Sequence, residues 1–309
     1  MQKIHNVAIL GAGAMGGYFA AQFFDAPDFN TILVADAAHC EKLNRDGLIV
    51  NGKHYFIPAV QPETVQAPMD LILVALKHNQ LKSMVPTLRK LVGDETIFIS
   101  VMNGLESEET IAAVYGMEHV LYAISLGIDA VREGNRITVV HPGTQYFGEM
   151  KNGAITPIIA RVQEAFDRAA IRAQTPPDME RMLWWKFLIN VGVNQASAVL
   201  RAPYAVFHTN HDAQALMEAL MTEVTVLAQK KGVSLTRQDI IDWYPVLNSL
   251  AAEGKTSMLQ DIEAGRKTEV EMFSGKVIEM GKELNVPTPV NQTVYHILHV
   301  IETRQVGKR

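Results

Sequence analysis

Residues 5–24 read HNVAILGAGAMGGYFAAQFF, and the way this stretch divides decides the fold. His5 to Leu10 is short and apolar and reads as a strand. It runs without a linker into Gly11-Ala12-Gly13-Ala14-Met15-Gly16, a G-x-G-x-x-G turn, and Ala14 to Phe24 then reads as a helix. Each glycine has its own physical reason. The first permits the tight turn, the second lets backbone approach a pyrophosphate, and the third lets helix and strand pack closely. The N–H groups of the helix N-terminus are then available to hold phosphates. The whole loop, Gly11, Ala12, Gly13, Ala14, Met15 and Gly16, is therefore a candidate dinucleotide-binding element.

The pattern continues outward from this unit. Thr31 to Ala35 reads as a second strand and roughly Ala38 to Arg45 as a helix. LILVAL (71–76) is apolar throughout, as a strand buried on both faces of a parallel sheet should be. A helix over Gln80 to Leu91 and a strand from Thr96 to Val101 follow. This β-α-β alternation predicts an α/β domain with a doubly wound, Rossmann-type parallel sheet. Between Tyr122 and Phe147 the runs ITVV and TQYF, set off by EGN and HPG turns, read as antiparallel strands finishing the sheet. Ile155 to Ala170 reads as a helix. Pro176-Pro177 then breaks the chain, and the remainder has almost entirely helical periodicity. The expected domains are a dinucleotide-binding domain over residues 1–175 and an all-helical domain over 176–309, with the basic tail VGKR frayed.

In open α/β sheets ligands bind beyond the carboxyl ends of the strands. Asp36 ends the second strand, twenty residues after Gly16. A carboxylate there accepts hydrogen bonds from the adenosine ribose hydroxyls and repels a 2′-phosphate, which favours NAD over NADP. The same residue could instead cap the following helix. Lys77 follows LILVAL directly, and Asn103-Gly104 follows IFISVM. Both are placed to face the nicotinamide half of a cofactor, although a loop lysine and a turn asparagine account equally for either residue alone.

Composition sets the frame. The 309 residues suit two domains, and 48% hydrophobic with 20% charged residues describes a soluble globular chain. A net charge of -5 without a basic run argues against a nucleic-acid partner. The single cysteine, Cys40, excludes an internal disulfide framework and a multi-cysteine metal site, and reads as a structural thiol. The N-terminus lacks a signal-peptide layout and no apolar run approaches a membrane span, so the cytoplasm is the expected location.

Within the helical half, WWKFLINVGVNQ places Lys186, Asn190 and Asn194 at i, i+4 and i+8. On an α-helix that spacing stacks the three side chains on one face. Burying an ammonium and two amides without partners costs several kcal/mol, so the face should turn toward a cleft. Asparagine does no proton transfer at neutral pH, whereas a lysine with lowered pKa does. The ladder therefore reads as one acid among positioning groups. Further on, KTSMLQDIEAGRKTEVEMFSG spans residues 255–275. By periodicity alone Ser257 is better explained as an N-cap, and Glu269 as a solvated carboxylate.

Taken together, GAGAMG, the VALK strand ending at Lys77, the Asn103-Gly104 pair, the WWKFLINVGVN helix and SMLQDIEAGRKTE resemble the ketopantoate reductase (2-dehydropantoate 2-reductase) family over both domains. The resemblance implies reduction of a small branched 2-oxo acid to its 2-hydroxy acid, usually with NADPH, on the path to pantothenate. It implies Lys186 as the general acid, Asn190 and Asn194 on the substrate's hydroxyl and carboxylate ends, and Ser257 on the carboxylate. Glu269 would lie near Lys186 and the cofactor ribose. Asn103 would touch cofactor and substrate, Lys77 the cofactor side, and Ala130 the nicotinamide half through its backbone. Asp36 departs from the pattern, standing where members commonly carry an arginine for the 2′-phosphate. Gly254 and Tyr204 occupy places where some members have substrate-contacting asparagines.

The chemistry is coherent without the family. Hydride addition to a ketone leaves an alkoxide, which a nearby ammonium stabilises and then protonates. No metal is needed. Three other readings remain: a reductase of another small 2-oxo acid, a 3-hydroxyacid dehydrogenase of the same two-domain plan, and a nucleotide-sensing binding protein without turnover. The cofactor is NADP or NAD, with Asp36 favouring NADH. The partner is a small molecule rather than nucleic acid or membrane, and the chain is a monomer or homodimer.

Overall fold

The computed structural model describes residues 3–306; of the tail expected to fray, residues 307–309 lie outside the described residues. The chain divides into two compact units, Met1–Met179 and Glu180–Arg309.

The first unit is built on ten strands: β1 Asn6–Leu10, β2 Asn30–Val34, β3 Leu48–Val50, β4 Lys53–Tyr55, β5 Ala59–Val60, β6 Leu71–Val74, β7 Ile97–Ser100, β8 Val120–Glu133, β9 Arg136–Gly148 and β10 Ala173–Gln174. Their order is β4-β3-β9-β8-β7-β6-β1-β2-β5, with β10 beside β9. Pairing is parallel except between β8 and β9 and between β3 and β4. Strand alternation sorts the apolar side chains onto two faces. Val7, Ile9, Leu71, Leu73, Ile97 and Ile99 join one core with Phe19, Phe23, Phe147 and Phe166. Ala8, Leu10, Ile72, Val74 and Phe98 join the other with Leu81, Leu88 and Ile111. Both faces are covered, which is why LILV is apolar throughout. This is the doubly wound α/β fold expected from the alternation.

Several details differ from the sequence reading. The helix expected over Gln80 to Leu91 is an α-helix only over His78–Met84, followed by a 3₁₀ segment, Val85–Lys90. Pro86 has no N–H for the carbonyl one turn back, so the chain tightens there. His141-Pro142-Gly143 does not end a strand but lies inside β9, where Pro142 pairs with Ile128. Gly127 and Gly143, with φ of +67° and +54°, absorb the distortion. The Glu133-Gly134-Asn135 turn does join β8 to β9.

The second unit is helical. Its longest helix, His211–Lys230, packs against the helices Gln195–Leu200, Tyr204–Thr209, Arg237–Ser249, Lys276–Leu284 and Pro289–Val306, and the helices Met179–Ile189 and Ser257–Glu263 complete the set. Two five-residue π turns, Asn190–Asn194 and Glu271–Gly275, interrupt the α geometry. Among the described residues, no helix is long and apolar enough to cross a membrane.

Candidate functional site

In the first unit the register brings the sequence candidates to one edge of the sheet. Leu10 pairs with Val34 and Val74, and Val74 with Ser100. Counting outward from these partners sets Gly13, Lys77 and Asn103 three residues beyond the carboxyl ends of β1, β6 and β7. Asp36 lies two residues beyond β2. The sheet order reverses direction at β1, with β6 on one side and β2 on the other, which is the switch point where such sheets take ligands.

The three glycines have distinct environments. Gly11 has φ of +98°, and a Cβ there would meet the Ala75 carbonyl at 2.7 Å. A Cβ on Gly16 would lie 1.9 Å from the Gly11 carbonyl oxygen, so helix and turn touch through bare backbone. A Cβ on Gly13 meets nothing within 4 Å. The open space is at the second glycine, where a diphosphate would approach. Gly13 begins the helix Ala14–Asp25 without a side-chain cap, and its first turn carries no acidic residue. The exposed N–H groups and absent negative charge fit a bound anion. The loop therefore fits a dinucleotide on three separate counts.

Asp36 is exposed and does cap the next helix: its Oδ1 accepts from the His39 N–H at 2.9 Å, and its carboxylate bonds the His39 ring at 2.8 Å. These bonds, the backbone one foremost, hold the carboxyl below its usual range. Capping leaves lone pairs free, so ribose binding and capping are compatible. Lys77 is exposed ahead of the helix His78–Met84, its N–H donating to Gln80 Oε1 at 3.3 Å. Asn103 is half-buried before Gly104, whose φ is +95°. Ala130 sits in β8 at a register shift that pairs it with Val139.

Two residues here escaped the sequence reading. The Arg132 guanidinium donates to the carbonyl of Ala12 in the glycine loop and, through Nε, to Gly134 at 2.8 Å. Burial works against its charge. Glu108 is buried just after the Asn103 loop, accepting from Ser107 Oγ at 2.7 Å. Burial pushes its carboxyl up to about 7. Nothing in the local sequence marks either one, because both depend on contacts across the sheet.

In the second unit Lys186 lies on Met179–Ile189, one turn before the first π turn. Burial lowers its ammonium to about 8, against the upward pull of the Glu269 carboxylate. Asn190 and Asn194 open and close the π turn and are 4% and 8% exposed. The ladder is therefore not a straight α-helix. Four α residues overshoot one rotation by about 40°, and the wider π turn takes back part of that drift between Asn190 and Asn194. Gly192 lets this turn pack closely on the long helix, since a Cβ there would meet the Met221 side chain at 2.5 Å. The structure thus groups Lys186 with Glu269 electrostatically and with both asparagines along one segment.

Ser257 is not the cap of its helix. Thr256 is, accepting from the Leu259 N–H at 3.1 Å, and this leaves Ser257 exposed as the first helical residue. Thr256 also donates to Ser197 Oγ at 3.2 Å, tying this helix start to the helix that follows Asn194. Tyr204 and Gly254 are neighbours: the Tyr204 N–H donates to the Gly254 carbonyl at 3.0 Å, and a Cβ on Gly254 would press on the Tyr204 ring. Among the described residues, no group of three or more His, Cys, Asp or Glu side chains could hold a metal ion.

Comparison with known proteins agrees with this layout. Residues 7–152 match the family model described as Ketopantoate reductase PanE/ApbA. Residues 178–302 match its C-terminal counterpart. A 2-dehydropantoate 2-reductase of a Nostoc species is 28% identical over 310 residues, covering 96% of this chain and 95% of the relative. That of Archaeoglobus fulgidus is 25% identical over 301 residues, covering 97% and 99%. Among solved structures, the ternary structure of D-mandelate dehydrogenase with NADH and anilino(oxo)acetate aligns with a TM-score of 0.87. It covers 97% of this chain and 99% of that one at 22% identity, a likeness of fold.

Proposed function

The chain belongs to the ketopantoate reductase family, and from that premise we propose that it is a nicotinamide-dependent 2-oxo acid reductase, with ketopantoate as substrate and pantoate as product. The observation that carries this reading is Lys186: a lysine brought to about 8 by burial, under the influence of Glu269, beside two buried asparagines. At neutral pH such a group is mostly protonated yet is a far better acid than a free lysine.

When bound, the reduced nicotinamide supplies the hydride to the carbonyl carbon. Lys186 stabilises the charge developing on the carbonyl oxygen and transfers its proton there. Asn190 and Asn194 orient the substrate's hydroxyl and carboxylate ends, and the Ser257 hydroxyl donates to the carboxylate. Glu269 keeps Lys186 charged until the proton is needed and serves the ribose side. Gly11, Ala12, Gly13, Ala14, Met15 and Gly16 hold the diphosphate by backbone. Lys77, Asn103 and the Ala130 backbone serve the nicotinamide half. Asp36, held ionised, takes the ribose hydroxyls, so NADH is the proposed reductant. We place the reaction in the cytoplasm, carried out by a monomer or homodimer.

One observation favours a second reading within the same chemistry. Tyr204 packed on Gly254 puts an aromatic ring where some members of the family carry polar side chains. A 2-oxo acid with an apolar or aryl group suits that surface better than a hydroxylated one. The test is a set of initial rates with ketopantoate and an aryl 2-oxo acid, each against NADH and NADPH. Highest kcat/KM for ketopantoate with NADH supports the first reading. Preference for the aryl acid selects the second, and no turnover with either acid contradicts both.

A further inference from the structure

A buried amide links the two π turns of the second unit. Gln195, fully buried, is the first residue after the turn Asn190–Asn194. In an unbroken α-helix its backbone N–H would serve the Val191 carbonyl. Here that N–H donates to Gly192 instead, and the Gln195 side chain takes over, with Nε2 donating to Val191 O at 2.8 Å. The other turn shows the complementary shift. The N–H of Gly275 donates to Val270 O at 3.0 Å, a carbonyl that an α-helix would give to Ser274. The displaced Ser274 N–H donates to Gln195 Oε1 at 3.1 Å.

One side chain thus serves a carbonyl from one π turn and an N–H from the other, two groups that a regular α-helix would have paired within their own segments. The rest of the environment is fixed as well. Gln195 Nε2 also donates to Asn291 Oδ1 at 3.3 Å, and Ser274 Oγ donates to the same oxygen at 3.0 Å. Asn291 in turn donates through Nδ2 to Glu223 Oε2 at 2.7 Å, and Glu223 receives the backbone N–H groups of Val290 and Asn291. The amide therefore has one orientation in which all its bonds are made. No apolar side chain could replace it without leaving the Ser274 N–H unpaired in the core.

We propose that Gln195 is a positioning residue of the reductase: by completing the hydrogen bonding of both π turns it fixes Asn190 and Asn194 relative to Glu269, and so sets the surroundings of Lys186. This rests on the assignment of those residues as the reaction site. Gln195 itself touches no substrate.

The test uses the full enzyme with Gln195→Met and Gln195→Glu, and with Lys186→Ala as a control on the site assignment. Methionine matches glutamine in length but makes none of the bonds. Its expected effect is a loss of kcat/KM for the 2-oxo acid on the order of 100-fold, as for a misplaced catalytic constellation. The alkaline limb of the kcat profile should move, while the NADH dissociation constant, read by fluorescence titration, stays unchanged. The glutamate variant should recover activity at acid pH, where a protonated carboxyl can donate to Val191 and accept from Ser274. That activity should be lost as the carboxyl ionises, adding a titration absent from the parent enzyme. This variant also keeps the question decidable if Gln195→Met does not fold. Parental kcat, KM and pH profile in a folded Gln195→Met, or in Gln195→Glu across the pH range, would overturn the inference. If Lys186→Ala also kept full turnover, the site assignment itself would be the part that failed.

Discussion

The Glu269 carboxylate opposes burial in setting how firmly Lys186 holds its proton. Loss of hydration lowers the lysine, the carboxylate raises it, and burial wins, leaving the ammonium at about 8 instead of its ordinary 10.5. In the proposed reaction the working form is the protonated one, so kcat should fall as pH rises through about 8. In Glu269→Gln the upward pull is gone. The alkaline limb of the kcat profile should then move to lower pH, by roughly one unit for each 1.4 kcal/mol of attraction removed. A limb that stays in place would show that Glu269 does not tune the acid.

At the proposed ribose end of the cofactor, Asp36→Arg removes a carboxylate and offers a bidentate partner for a 2′-phosphate. The ratio of kcat/KM for NADPH to that for NADH should rise by ~10-fold or more, on the basis that each 1.4 kcal/mol is tenfold. The cap to the His39 N–H is lost too, at a cost of about 1 kcal/mol in stability. An unchanged ratio would mean that Asp36 serves only as a cap.

The glycine loop can be separated into its structural and binding parts. Gly16→Ala drives a methyl into the Gly11 carbonyl and should destabilise the protein by about 1–3 kcal/mol, seen in thermal melts. Gly13→Ala points into open space and should melt like the parent, yet bind NADH at least ~10-fold more weakly because the methyl occupies the diphosphate approach. Equal binding by the Gly13 variant would place the nucleotide elsewhere.

Glu108 gives a stability signature. Its buried carboxyl titrates near 7 rather than at its ordinary 4.5. The native state thus holds its proton over a window where the unfolded chain has lost it. The stability this contributes is full below 4.5 and falls as pH rises through about 7, a change on the order of 3 kcal/mol. Denaturant melts of Glu108→Gln should lack that component, and a parallel pH dependence in both proteins would contradict the assignment.

How much of this could be read in advance follows from the physics of each element. The sheet was legible because β6 and β7 are buried on both faces and the glycine turn demands its own residue types. The strands β5 and β10 were not, being two residues long with no period to detect. The hairpin of β3 and β4 carried an unused signal: Asn51-Gly52, with φ of +47° and +83°, is a strong two-residue hairpin turn. The π turns could not be read locally. NVGVN suits an α-helix, and the partners of this segment, Met221 against Gly192 and Ser274 bonded to Gln195, are far away in sequence. Lys186, Asn190 and Asn194 stood out because polar groups in an apolar run need partners. Arg132 did not, since its partner Ala12 lies 120 residues away.

If Lys186 is the proton donor, Lys186→Ala removes the acid and leaves the glycine loop of the first unit untouched. Turnover of ketopantoate with NADH should be measured beside NADH binding by fluorescence titration. The kcat should fall by about 10²–10⁴-fold, the usual contribution of a positioned acid, with NADH affinity unchanged. Turnover close to that of the parent would contradict that role.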